Sequence, residues 1–431
     1  MKAMKLFSFA WPMLAVVVAA SAGAQEYPPL LPPEGAVRNY LNQLPQVQAA
    51  RNGIELEQAN ASRLGAGPYE WTVKGTLQQR RERAGPRYRE NELAVERPVR
   101  WFGKADKDRA LGEIGVTLAE HALADAWHEA GRAFLKNWFD TLRNLRAAAR
   151  LQEQADLLGQ QADVVRKRYK AGDAPRVELM LAETERDRAL GAQRQAALRA
   201  ERSVADLRVR YPGIAPQAPQ QLPAPAPIAG SASEWQQRIL AENHELLLAR
   251  AQATQGKLSA ERAALDRVPD PTIGVRIAQE RDSQEKIVGL TLSIPLSGTL
   301  RRAQQDAGLA QARIAEDRAR QSETKAQSDA ISTAMNAESA YEVWQRLEQV
   351  ALQTEANTAV VSKAYSLGEA PLGELLLARR QSLDAVASAE EGRFDALEAY
   401  ARLLLDAHVI WDEQAADSQR DAAPTLTRKP L

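Results

Sequence analysis

Apolar and polar residues alternate at two places in this chain and follow a helical period almost everywhere else. Over residues 69–80, Trp71, Val73, Gly75 and Leu77 alternate with Glu70, Thr72, Lys74 and Thr76. A period of two predicts a strand with one apolar and one polar face. Ala84-Gly85-Pro86 makes a turn, and a second strand over 88–99 carries Leu93 and Val95 on one side and stops at Pro98. The alternation returns at 272–281 and 286–295, joined by Arg281-Asp282-Ser283. Residues 104–168 contain no proline and show a stripe of Leu111, Ile114, Leu118, Ala122, Ala130, Phe134 and Trp138. That predicts a helix about 100 Å long at 1.5 Å per residue, too long for a compact domain. A second such helix is expected over 299–367. Shorter helices are expected at 45–64, from Pro175 to Arg210, at 244–267 and at 371–413. Pro45 suits a first helical turn, and Val268-Pro269-Asp270-Pro271 breaks the third of these.

The chain also repeats itself. Tyr169-Lys-Ala-Gly172-Asp-Ala-Pro175-Arg-Val-Glu178-Leu-Met-Leu-Ala182 returns as Tyr365-Ser-Leu-Gly368-Glu-Ala-Pro371-Leu-Gly-Glu374-Leu-Leu-Leu-Ala378 without a gap. Upstream, Ala50-Arg51 answers Ala249-Arg250, and Arg97-Pro98-Val99 answers Ile294-Pro295-Leu296. Solenoid units recur every 20–50 residues, so so long a period marks a duplicated half and an internal pseudo-twofold. The expected organisation is a signal peptide over 1–24, a first repeat over 25–211, a Pro-rich linker over 212–233, a second repeat over 234–413 and a polar tail over 414–431.

The leader is read from its charge and hydropathy. Lys2 and Lys5 precede an apolar run from Leu6 to Ala20, and Ala22-Gly23-Ala24 offers small residues for cleavage after Ala24. This is the layout of an export signal; a membrane anchor fits less well because the run is short and holds Pro12. No other segment approaches the ~20 apolar residues of a spanning helix. Cysteine is absent, which excludes disulfides, thiolate chemistry and an N-terminal lipid anchor. Fifty-six basic residues balance fifty-six acidic ones, so the basic footprint of a nucleic-acid binder is missing.

Within each half the two shorter helices, laid end to end, span about the length of the long one. Each half therefore reads as two antiparallel columns of about 100 Å capped by a two-stranded hairpin. Four strands cannot close into a barrel, open edges are not tolerated in lipid, and single-chain outer-membrane barrels begin at eight strands. Copies of the chain must complete the sheet. The strands have the length needed to cross a bilayer when tilted, 9–11 residues.

The paired Tyr-x-x-Gly tips, each followed by a Glu-Leu run ending in Ala182 or Ala378, and the strand exits at Pro98 and Pro295 resemble the TolC-type outer-membrane efflux proteins over essentially the whole mature length. The resemblance implies a mainly α fold with a small β part, in which long helical hairpins form a periplasmic α-barrel. It implies a homotrimer whose chains each give four strands to a transmembrane β-barrel in outer-membrane lipid. It also implies a passive duct without catalysis or cofactor, docked through its tips onto a periplasmic adaptor and an inner-membrane pump. Size and neutral charge resemble the heavy-metal efflux subgroup. Carried over to this chain, Arg168, Tyr169, Gly172, Asp173, Tyr365, Gly368 and Glu369 form the tips and adaptor contacts. Glu374, with Glu178 as its first-half counterpart, falls at the pore constriction, where three copies would make a carboxylate ring that favours cations. Leu377 stands where some members carry a second acid, and Ala364 stands in the place that Arg168 holds in the first half.

Blander readings accompany each of these. Glu178 and Glu374 also suit solvated helix faces, and Tyr169 and Tyr365 suit simple packing of a turn. Lys74 and Arg276, alternating with apolar neighbours, fit a water-filled barrel lumen or the wet face of a soluble sheet. His408 continues the stripe Leu397, Ala401, Leu404 and is read as a packed seam residue, while His121, His128 and His244 are scattered, and no cluster has metal-site spacing. Aromatic candidates for an interfacial girdle are Tyr69, Trp71 and Tyr88, all in the first hairpin. The leading function is an exit duct for metal cations or small toxic compounds. A soluble periplasmic coiled-coil adaptor is the alternative, opposed by two hairpins each fed by a bilayer-length strand pair. An exported enzyme would need a catalytic constellation that the sequence does not offer.

Overall fold

The computed structural model describes residues 27–412 except Glu82 and Ala84. The expected signal peptide and polar tail lie outside the described residues. The elements fall into two series of the same order. The first is α1 (Glu34–Gln43), α2 (Pro45–Ala66), β1 (Thr72–Arg81), β2 (Arg87–Pro98), α3 (Lys104–Lys170) and α4 (Arg176–Arg210). The second is α5 (Ala232–Ala241), α6 (His244–Leu265), β3 (Thr272–Glu280), β4 (Glu285–Ser293), α7 (Thr299–Leu367) and α8 (Leu372–Asp406). Helix lengths of 10, 22, 67 and 35 residues in the first series are matched by 10, 22, 69 and 35 in the second. At 1.5 Å per residue, α3 and α7 are each about 100 Å long. α2 and α4 pack along α3, α6 and α8 pack along α7, and α3 also touches α6 and α8 and so joins the halves.

Small residues at a seven-residue repeat explain the straight, close columns. On α8, Leu375, Ser382, Ala389, Ala396 and Leu403 are buried seven apart, as are Ala182, Ala189 and Ala196 on α4. Facing α4, α3 buries Ala155, Leu158, Ala162 and Val165 at alternating steps of three and four. That spacing keeps one seam facing the partner helix, and alanine lets the axes approach. Gly112 lets α2 approach α3 closely: a Cβ there would lie 2.8 Å from the Ala61 Cβ and 2.9 Å from its Cα.

Two short helices go beyond the sequence reading. α1 lies in what reads as a Pro-rich lead, and α5 begins at Ala232, just inside the expected linker. Both dock on the largest apolar core, α1 through Val37 and Leu41 and α5 through Trp235 and Ile239. This core gathers Trp127, Phe134, Trp138 and Phe139 of α3 with Phe394, Leu403 and Leu404 of α8. Two of its indole N–H groups are satisfied by backbone: Trp127 Nε1 donates to the Trp411 carbonyl at 2.7 Å and Trp138 Nε1 to that of Leu30 at 2.9 Å. The final helix stops at Asp406, short of the expected 413, because the chain turns at His408 with φ +56°.

The four strands form one antiparallel sheet in the order β1-β2-β3-β4. At its root, the strand exits of both halves are tied by charge. Lys104 is fully buried, with Nζ 2.9 Å from Asp270 Oδ1 and 3.1 Å from Asp266 Oδ1. Asp270 also accepts from the Tyr69 hydroxyl at 2.9 Å and the Trp101 amide at 2.8 Å, and Arg262 Nε donates to Asp108 Oδ1 at 2.6 Å. A buried lysine is tolerated only when paired in this way.

Gly112→Val should destabilise the α2–α3 contact by about 1–3 kcal/mol, the usual cost of overpacking a site closed by backbone. Chemical unfolding followed by circular dichroism measures it. An unchanged midpoint would show that the two helices are free to move apart.

Candidate functional site

The register of the sheet sorts its side chains into two faces. Lys74 pairs with Ala94, Ala94 with Arg276, and Arg276 with Gly289, so these share one face. With them stand Thr72, Thr76, Glu92, Glu96 and Thr291, all polar. Lys74 Nζ lies 2.5 Å from Glu96 Oε2 and Arg276 Nη1 3.4 Å from Glu92 Oε2. The expected lumen residues are therefore brought onto one wet, charge-balanced face. The opposite face carries Val73, Leu77, Leu93, Val95, Ile273, Val275, Ile277, Val288, Leu290 and Leu292. This apolar face lies open: Leu77 is 85%, Val288 75% and Leu290 87% exposed. The outer edges, β1 and β4, have no strand partner among the described residues. Such a sheet, wet on one side and bare hydrocarbon on the other, is the inverse of a soluble sheet packed on a core.

At the far end of the columns the two repeated motifs fold into the same turn. Gly172 and Gly368 both take φ +79°, a conformation that costs glycine nothing. The Asp173 amide donates to the Arg168 carbonyl and the Glu369 amide to that of Ala364, both at 2.9 Å, which closes the end of each long helix. Pro175 and Pro371 then cap α4 and α8. Glu178 and Glu374 fall in the first turn of those helices, where the helix dipole favours a carboxylate.

The tips are not independent. Arg168 of the first turn donates from Nη1 to the Tyr365 hydroxyl of the second at 2.8 Å, and its guanidinium sits 5.9 Å from the centre of that ring. The same guanidinium donates from Nε to Asp173 Oδ2 at 3.0 Å and from Nη2 to the Asp173 carbonyl at 3.1 Å. These bonds, that to Asp173 foremost, hold the arginine charge more firmly than usual. Behind the tie lies a small core of Ala162, Val165, Ala182, Leu372 and Leu375, with Tyr365 packed against it. One turn further, Arg379 donates to Gln161 Oε1 at 3.2 Å, and burial lowers its pKa. The motif did not single out Arg379; an arginine without a charged neighbour at helical spacing offers no signal until α3 and α8 are placed together.

Of the two tip glutamates, Glu374 is exposed and Glu178 half-buried, with Glu178 Oε2 lacking a hydrogen bond. Tyr169, Gly172, Asp173, Gly368 and Glu369 are exposed at the extreme end, and Leu377 is exposed beside Glu374. Arg168, expected as an adaptor contact, spends its donors within the chain. Ala364, at the equivalent place, has no such reach, so the tie runs one way only.

No family model matches the chain, and no curated protein matches it by sequence. Solved structures do. The outer-membrane protein VceC of Vibrio cholerae superposes with a TM-score of 0.72 at 14% identity, over 86% of this chain and 95% of that one. The CmeC outer-membrane channel of Campylobacter jejuni gives 0.72 at 11% identity, over 90% and 88%. CusC, described in terms of transmembrane channel formation, gives 0.64 at 14% identity, over 86% and 91%. The chain has the fold of the TolC-type outer-membrane channels. In this chain the open sheet lies at one end of the helical columns and the two tips at the other.

Spin labels at the exposed Lys170 and Ser366 would report on the tie between the tips. Tyr365→Phe removes only the hydroxyl, so the distance distribution should broaden toward longer separations while helix content stays constant. An unchanged distribution in both Tyr365→Phe and Arg168→Ala would mean that this bond does not hold the hairpins together.

Proposed function

We propose that this protein is an outer-membrane exit duct of a tripartite efflux system. Three copies give twelve strands, which close the open edges and turn the apolar face toward lipid. The helical columns then line a tunnel through the periplasm, and the tips meet a periplasmic adaptor bound to an inner-membrane pump. The observation that carries this reading is the sheet with a bare apolar face and two unpaired edges. A soluble coiled-coil adaptor has no use for such a face, which in water would aggregate. The likeness to VceC, CmeC and CusC supports the same reading through the fold.

The duct is passive: the described residues provide walls and a gate, and the driving force comes from the partner pump. We assign cations, metal ions or small toxic compounds, as its cargo class. The support is the exposed Glu374 in the first turn of α8, which three copies would multiply into a ring of carboxylates. Glu178, half-buried behind the first tip, contributes less. Arg168 and Tyr365 form the latch that holds the hairpin pair in its resting position.

Reconstituted in a planar bilayer, the protein should give discrete, cation-preferring conductance steps. Glu374→Gln should reduce the cation preference more than Glu178→Gln. Equal selectivity in the two variants would remove Glu374 from the constriction. Failure of the purified protein to insert at all would favour the adaptor.

A further inference from the structure

All but one of the chain's four histidines meet at a point that their sequence positions do not suggest. His128 lies about a third of the way along α3, His244 is the first residue of α6, and His408 stands in the turn after α8. Their ring centres are separated by 4.6 Å (His244 to His408), 5.0 Å (His128 to His408) and 6.1 Å (His128 to His244). The cluster clasps three separate parts of the fold: the central helix of the first repeat, the bend between α5 and α6 that opens the second, and the end of α8. His408 completes the turn that carries Trp411 back into the main core, where the indole donates to the Tyr27 hydroxyl at 2.9 Å. Among the described residues no group of three or more His, Cys, Asp or Glu is arranged to hold a metal ion. The rings pack as aromatics instead: His244 meets His128 and His408 edge to face, and His128 and His408 are tilted at 40°.

We propose that this cluster is an acid-sensitive clasp, in which protons taken up by His244 and His408 push the rings apart and release the end of α8 and the α5–α6 bend from α3. The charges around it support this. The nearest carboxylate, Asp406, is almost wholly buried and already serves His128 Nε2 at 3.2 Å, Arg132 Nε at 2.9 Å and Arg402 Nε at 2.9 Å. Thr333 of α7 lies 3.4 Å from its other oxygen. Burial works against that carboxylate, yet its His128 bond and the two arginines hold it well below the usual range. It favours a charge on His408 as well, but its bonds to Arg132 and Arg402 already balance its own charge. On α3, His121, Asp125 and Glu129 also face the cluster; Asp125 is itself raised by burial and by repulsion from Glu129 and Glu245. Glu129 is paired with Arg132 at 2.5 Å and Glu245 of α6 with Lys325 of α7 at 2.9 Å. Glu242 at the bend and Asp412, whose carbonyl accepts from Arg38 of α1, favour a charge on His408, but burial, the largest influence, opposes it. His244 sits at the positive end of its helix, behind the Asn243 cap, which further disfavours a proton there.

The sign of the effect follows from these surroundings. Burial, then repulsion from His408, His128 and His121, lowers His244 from 6.5 to about 3, and burial also lowers His408. A histidine depressed in the folded state stabilises it above its unfolded value, and that stability drains away as pH falls below about 6.5 toward the folded value. Nothing comparable operates at the tips, so acid should loosen the middle of the molecule first.

Hydrogen exchange of the whole detergent-purified protein, corrected for the intrinsic pH dependence of exchange, tests the clasp. Between pH 7.5 and pH 5 the opening equilibrium of segments 241–248 and 403–411 should rise about 30-fold for a single group shifted this far, while the tip segments stay level. His244→Gln should flatten that rise. His408→Asn should flatten it too, because asparagine tolerates the left-handed backbone at that turn and does not titrate; it also carries the test if His244→Gln does not fold. A wild-type protein without the pH-dependent opening, or variants that keep its full slope, would overturn the proposal.

Discussion

Everything in this chain is organised around a sheet that cannot be satisfied by one copy. Among the described residues, four strands present two open edges and an apolar face on which nothing packs, and both faults are severe in any single-chain environment. Water would drive the apolar face into aggregates, and lipid would leave the edge amides and carbonyls without partners. Closure with further copies, as proposed above, would remove both at once. The ion pairs Lys74–Glu96 and Arg276–Glu92 show which side of the sheet is meant to be wet. Because β1 and β4 run in opposite directions, joining β4 of one chain to β1 of the next continues the same antiparallel ladder.

Closure of the sheet then dictates the helices. Each strand pair hands over to a column about 100 Å long, and the ion pairs that Lys104, Asp266, Asp270, Asp108 and Arg262 form around the buried Lys104 tie the exits together. Small residues at seven-residue spacing keep the columns close and straight to the tips. Duplication supplies the symmetry, but the halves differ at particular residues. Arg168 has no counterpart at Ala364, so one tip holds the other through Tyr365. The histidine cluster likewise draws one residue from the first half and two from the second.

How much of this was legible in the sequence depended on the range of the signal. The strands were readable because Val73, Leu77, Leu93 and Val95 alternate with polar residues over a full bilayer's length, and the observed register places them on one face. The tips were readable because a motif occurs twice at constant separation. α1 was missed because prolines on both sides concealed a helix held by two buried residues, Val37 and Leu41. α5 did carry a local sign, the Ser231 to Glu234 capping box, inside a segment dominated by proline. His408 read as a seam residue on a continuing helix, yet the helix ends at Asp406 and the turn swings the ring toward His128 and His244. Residues so far apart along the chain are brought together only by topology, and no spacing rule reports that. The Arg168–Tyr365 bond was invisible for the same reason, although both residues stood out within their own motifs.

The central claim is that copies of this sheet complete one another in a closed ring of three. The native chain lacks cysteine, so disulfide mapping has no background. Pairs of single cysteines, one along β1 and one along β4, would be introduced in the same chain and oxidised in the membrane. A covalent trimer, with no larger species, is the predicted product at pairs in register. Monomers at every pair, or an open ladder of growing oligomers, would contradict a closed twelve-stranded barrel.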